Sequence, residues 1–152
     1  MNIKKIISYI VITLLVGSFF TLFIMDSFNI YNTMDKPFLS PNKIVFPIVW
    51  SVLYILMGIS LYIVSESKYL NKDKSYLLYI LQLLVNSAWP LFFFKFRLFF
   101  VSFLIVLLLI YLVIKLILEF YKINKLAAYL QIPYLLWLIF ASYLSLGVFL
   151  LN

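Results

Sequence analysis

The chain reads as five long apolar stretches separated by short runs that hold nearly all of its charge. They cover roughly Ile6–Met25, Ile44–Val64, Ser75–Phe94, Leu98–Leu118 and Leu126–Leu151. Each is about 20 residues or more, and at about 1.5 Å of rise per residue such a helix crosses a hydrocarbon core of about 30 Å. The pattern predicts an all-α polytopic membrane protein, one domain over residues 1–152 built as a five-transmembrane-helix bundle. The third stretch is the least apolar, because Gln82, Asn86 and Ser87 lie inside it. Only the first connection, about Asp26 to Lys43, is long; the others are short enough to make neighbouring helices antiparallel. Lys4 and Lys5 ahead of an apolar run also fit the start of a signal peptide. The run exceeds a usual signal core and no A-x-A-like site follows it, so it reads as a retained helix.

Composition agrees with this picture. Hydrophobic residues make up 66% of the 152 and charged residues 11%, against about 45–50% and about 25% in soluble domains. Too few polar side chains remain to cover an exterior facing water, whereas lipid accepts an apolar one. There is no cysteine and no histidine, which removes disulfides, thiolate or imidazole metal ligands and the usual general base. No metal site is expected.

The net charge of +7 is better explained by topology than by a nucleic-acid partner. Lys4, Lys5, Lys68, Lys72, Lys74, Lys115, Lys122 and Lys125 fall on one side of the predicted bundle, and Lys36, Lys43, Lys95 and Arg97 on the other. Positive loops stay in the cytoplasm. This predicts a cytoplasmic N-terminus, an outer C-terminus and an outer first loop. Asp26, Asp35, Glu66 and Asp73 lie in loops or at helix ends, and Glu119 sits four residues from Lys115, the spacing of an interfacial ion pair. No carboxylate remains at membrane depth for a proton relay.

The polar groups inside the stretches are neutral. Gln82 and Asn86 share one helix face, which must turn inward because an unpaired amide in lipid costs a few kcal/mol. They serve either as interhelical hydrogen-bond partners or as pocket lining. Trp50 and Trp89 fit an interfacial belt, while Trp137 is too deep for one. Trp50, Tyr54 and Gly58 repeat at i, i+4, i+8 after Phe46, and Pro133, Trp137, Ala141 and Ser145 do the same. Such mixed faces either pack tightly or leave a slot for a flat ligand. Pro37, Pro41 and Pro47 stiffen the first loop, as a lid or as a plain connector.

Together these residues resemble the TspO/MBR family, the tryptophan-rich sensory proteins related to the mitochondrial translocator protein, or peripheral-type benzodiazepine receptor. The resemblance is carried by Lys36-Pro37, Pro41, Phe46-Pro47, Trp50, Leu53-Tyr54 and Met57-Gly58. It continues through Gln82-Leu83, Asn86, Trp89, Phe92-Phe93, Ala127-Ala128, Pro133-Tyr134, Trp137, Phe140-Ala141 and Leu151-Asn152. It implies a homodimeric five-helix receptor or sensor whose pocket, under the first loop, takes tetrapyrroles such as protoporphyrin IX, or synthetic benzodiazepine-site drugs. No cofactor is implied beyond the porphyrin as ligand or substrate. Carried onto this chain, the pocket residues are Tyr31, Pro47, Trp50, Tyr54, Asn86, Trp89, Trp137 and Ala141. Light-dependent degradation of protoporphyrin IX would fall to Trp50 and Trp137. The family pattern is altered at Ile30, Leu39, Ser40 and Ser145, and no basic residue after Lys125 supplies a cholesterol-recognition motif. A small transporter of porphyrin-like or hydrophobic solutes is the alternative, and a purely structural membrane partner is a third reading.

Overall fold

A computed structural model describes all 152 residues. Every regular element is helical: α1 (Ile3–Gly17), α2 (Val45–Glu66), α3 (Asp73–Pro90), α4 (Phe99–Ile123), α5 (Lys125–Tyr129) and α6 (Ile132–Leu151). They make five apolar spans, Ile3–Phe23, Val45–Glu66, Asp73–Lys95, Phe99–Ile123 and Lys125–Leu151. The protein is therefore an all-α integral membrane protein with the five helices the hydropathy pattern predicts. α1 packs on α2 and α3, and α4 lies between α3 and α6. Leu104, Leu107, Leu108 and Tyr111 of α4 are among many large apolar side chains left exposed, while Gln82, Asn86 and Gln131 are buried. An exterior more apolar than parts of the core suits lipid and not water.

Local chemistry explains where the helices begin and break. Asn2 caps α1 by accepting the Lys5 amide hydrogen, and Asn124 caps α5 by accepting that of Ala127, each satisfying an orphan donor. Pro47 sits in the first turn of α2, where no amide hydrogen is needed. Pro90 falls at the end of α3, and the chain continues as a π turn, Leu91–Lys95, closed by the Phe96 amide on the Leu91 carbonyl at 2.8 Å. The fifth span is not one helix with a bend. It stops after Tyr129, turns through Leu130 and Gln131, and restarts with Pro133 in the first turn of α6.

Two further expectations change. The first span is α-helical only to Gly17; beyond it the chain winds as 3-10 helix over Phe19–Phe23 and Met25–Asn32. Glu119 does not pair with Lys115. It accepts hydrogen bonds from Lys74 and Lys122, both at 2.8 Å, and Lys115 lies over the Tyr111 ring instead. Two cations from different elements outbid a single i,i+4 neighbour. They also carry α4 past the apolar run that ends near Leu118.

Close helix contact is set by small residues. A Cβ built on Gly58 would stand 2.6 Å from the Ile10 Cα and 2.9 Å from its nitrogen, so α1 lies directly against α2 at this point. The Ser60 hydroxyl donates to the Ala127 carbonyl at 2.7 Å, tying α2 to α5 where Ala127 and Ala128 are fully buried. Small side chains at such crossings let backbones approach in the absence of a hydrophobic drive between lipid-immersed helices.

Candidate functional site

The bundle forms a half-open cavity of about 470 Å³ between the end of α1, the 3-10 stretch, α2 and α3. Its size falls within the range of about 300–1,000 Å³ usual for small-molecule sites. Phe46, Trp50, Trp89 and Phe94 give it aromatic walls, and Asn86, Tyr54, Ser18, Thr21 and Ser51 are its polar members. Trp50 stacks on Tyr54 with ring centres 5.6 Å apart at 28°. Trp89 stacks on Phe93 at 4.9 Å and meets Phe94 edge-on at 6.0 Å. The result is a set of flat faces with few hydrogen-bonding groups, suited to a planar, largely apolar ligand.

A hydrogen-bond chain crosses the cavity floor. The Tyr54 hydroxyl donates to the Gly17 carbonyl at 2.9 Å and lies 3.3 Å from Asn86 Oδ1, and Asn86 Nδ2 donates to the Tyr134 hydroxyl at 2.7 Å. This chain also explains why α1 stops. A Cβ on Gly17 would meet the Tyr54 ring at 2.3 Å, so only glycine admits that ring. The Tyr54 hydroxyl then takes the carbonyl that the Thr21 amide would occupy in a continuing α-helix. Thr21 bonds the Ser18 carbonyl instead, at 2.9 Å, and the 3-10 winding begins. The Ser18 hydroxyl donates back to the Leu14 carbonyl at 2.6 Å and reinforces the break.

Of the residues expected at the pocket, Pro47, Trp50, Tyr54, Asn86 and Trp89 line the cavity. Tyr31, Trp137 and Ala141 lie outside that lining. Tyr31 is 1% exposed and organises the first loop: its hydroxyl donates to the Pro41 carbonyl at 2.8 Å, and Lys36 Nζ donates to its own carbonyl at 2.7 Å. Burial pushes its phenol pKa up, so the hydroxyl remains a donor. Trp137 packs edge-on against Trp50 at 6.4 Å and Phe46 at 6.0 Å, and so stands behind the wall. Ala141 is buried in α6. α6 therefore contributes no lining residue, its Tyr134 and Trp137 touching Asn86 and Trp50 from behind, and α1 with the 3-10 stretch supplies the wall expected from it. Ser18 and Thr21, polar positions inside the first apolar stretch, belong to that wall.

The first loop is fastened across the C-terminal end of α6. Asn152 Nδ2 donates to the Asp35 carbonyl at 2.8 Å, the Asp35 amide donates to Asn152 Oδ1 at 3.3 Å, and the Tyr143 hydroxyl donates to the Phe38 carbonyl. These bonds hold the loop against α6. Replacing both Asn152 with alanine and Tyr143 with phenylalanine should leave the spans intact but raise the loop's amide exchange rates at least tenfold, as each lost bond releases about 1 kcal/mol. Hydrogen–deuterium exchange over residues 33–43 reads this directly.

Against known proteins, residues 9–151 match the model of the TspO/MBR family. The chain belongs to the TspO/MBR family. The tryptophan-rich protein TspO of Archaeoglobus fulgidus is 34% identical over the whole of this chain and 99% of its own length. The tryptophan-rich sensory protein of Cereibacter sphaeroides is 27% identical over 80% of this chain and 76% of its own. The human translocator protein is 33% identical over 76% of this chain and 70% of its own. Every cavity residue of this TspO/MBR chain lies inside the matched region. Of its three tryptophans, two line the cavity and the third backs one of them.

Proposed function

We propose that this membrane protein is a receptor or sensor that binds a tetrapyrrole such as protoporphyrin IX in the aromatic cavity. The observation that carries this reading is the pairing of flat aromatic walls with one anchored amide, Asn86, in a site of about 470 Å³. Trp89 adds to it: this cavity residue has a buried indole N–H without a partner, a donor that a ligand acceptor would satisfy. In the same reading the N-terminus is cytoplasmic in a bacterial cell membrane, and the protein works as a homodimer. Porphyrin added to purified protein in the dark should quench tryptophan fluorescence saturably. No saturable quenching would remove the reading.

Light-dependent degradation of the porphyrin is the catalytic extension. A porphyrin in the cavity lies against Trp50, and Trp137 is the next indole, 6.4 Å away. An excited porphyrin can take an electron from the nearer ring to leave an indole radical cation that the second ring shares, and dissolved dioxygen is then the oxidant that takes up the electron and opens the macrocycle. Trp50→Phe should slow light-driven loss of porphyrin by about tenfold or more, a barrier change of about 1.4 kcal/mol. Trp137→Phe should slow it less, because that ring stands behind the wall, against Trp50 and Phe46. Equal loss in both variants and the parent, measured by absorbance under constant illumination, would confine the protein to binding.

A further inference from the structure

A second cavity, of about 370 Å³, opens beside the first. Phe94 lines both, so the two adjoin at that side chain. The second is polar where the first is apolar: Asp26, Asn29, Lys95 and Arg97 are among its lining residues. Lys43 donates to Asn29 Oδ1 at 2.8 Å, which brings a third cation to its edge. The protein's ion pairs join Lys5 to Glu66 and Glu119 to Lys74 and Lys122. Lys95 and Arg97 belong to none of them. Three cations thus face one acid, Asp26, with which none of them pairs.

Arg97 also holds a backbone conformation that disfavours it. Its φ is 54°, in the left-handed region where glycine is comfortable and a long side chain is not. The Leu98 amide, which donates to the Phe92 carbonyl of the preceding π turn at 2.9 Å, fixes this geometry. A position at which glycine would relieve strain carries instead a guanidinium, the side chain best shaped to bind a carboxylate through two hydrogen bonds.

We propose that this basic corner is a carboxylate-binding subsite, which selects ligands with an apolar planar body and acidic groups at one edge. The body occupies the aromatic cavity and an acidic substituent passes Phe94 to reach Lys95 and Arg97. The inference rests on the tetrapyrrole-type reading of the main cavity and adds to it the feature by which acidic ligands are chosen over neutral ones. An anionic lipid headgroup shares the same chemistry, so the test separates the two.

The experiment compares protoporphyrin IX, which has two carboxylates, with its dimethyl ester, titrated in the dark into protein held in zwitterionic nanodiscs. The parent should bind the acid about tenfold more tightly than the ester at low salt, the size of one or two charge-assisted hydrogen bonds open to water. Lys95→Gln with Arg97→Gly should bind both with the ester's affinity. Arg97→Gly alone should match or exceed the parent's thermal stability, because glycine accepts the positive φ, so lost selectivity is not misfolding. A parent that binds acid and ester equally, or a double variant that still prefers the acid, overturns the subsite alone. Failure of either compound to bind the parent overturns the cavity reading and the subsite with it. An acid preference that disappears only when phosphatidylglycerol is included assigns the corner to a site that ligand and lipid share. Equal binding with a lipid-dependent stability lost in the double variant assigns it to the headgroup and overturns the proposal.

Discussion

Replacing Gly58 with alanine will destabilise the bundle, although the same change in an isolated helix would stabilise it by about 1 kcal/mol. The new methyl group would stand 2.6 Å from the Ile10 Cα. Backbone cannot rotate aside as a side chain can, so α1 must move away from α2. Overpacking of this kind costs about 1–3 kcal/mol, and in a chain of this length about 2 kcal/mol lowers the melting temperature by roughly 4–8 °C. Leucine at the same position should prevent recovery of folded, monodisperse protein. The measurement is thermal unfolding in detergent, and an alanine variant that melts higher than the parent would show that the contact is not tight.

The second large effect concerns Asn86. Asn86→Ala removes the donor that reaches Tyr134 and the polar group beside Tyr54, and leaves the buried Tyr134 hydroxyl without its partner. An unsatisfied buried group costs about 1–3 kcal/mol, while interhelical hydrogen bonds in membranes contribute about 0.6 kcal/mol on average. A stability loss of about 1–2 kcal/mol is expected, together with about a tenfold loss of porphyrin affinity. Tyr134→Phe should produce a similar loss of stability by stranding Asn86 Nδ2. With both changes the orphaned groups disappear together, so the double variant should fall short of the sum by about 0.5 kcal/mol or more. Strict additivity would mean that the two side chains are not coupled.

The spans were legible because lipid imposes a single long-range rule, about 20 apolar residues between charges, and this chain obeys it five times. Local breaks inside a span were not legible by that rule. The end of α1 at Gly17 depends on a tyrosine 37 residues away that takes the Gly17 carbonyl, and hydropathy is blind to the break because Phe19, Leu22 and Phe23 remain apolar. At the site, the face shared by Trp50 and Tyr54 and the inward turn of Asn86 followed from helical period. Which neighbour each face meets did not. Tyr31 and Trp137 share the aromatic character of the wall residues, yet one holds the loop and the other backs Trp50. Ser145, on the periodic face of the fifth span, is buried with an unpartnered hydroxyl; spacing alone gives no reason for it. The Glu119 pairing was missed because i,i+4 counting sees one helix, whereas Lys74 arrives from another.

The tighter winding after Gly17 is a store of length. A 3-10 helix rises about 2.0 Å per residue and an α-helix about 1.5 Å. Rewinding the five- and eight-residue runs would therefore retract the far end by roughly 6 Å. The Tyr54 hydroxyl on the Gly17 carbonyl acts as the ratchet tooth that prevents it, and that tyrosine is part of the cavity wall. A ligand in the cavity would therefore touch the side chain whose hydroxyl ends α1.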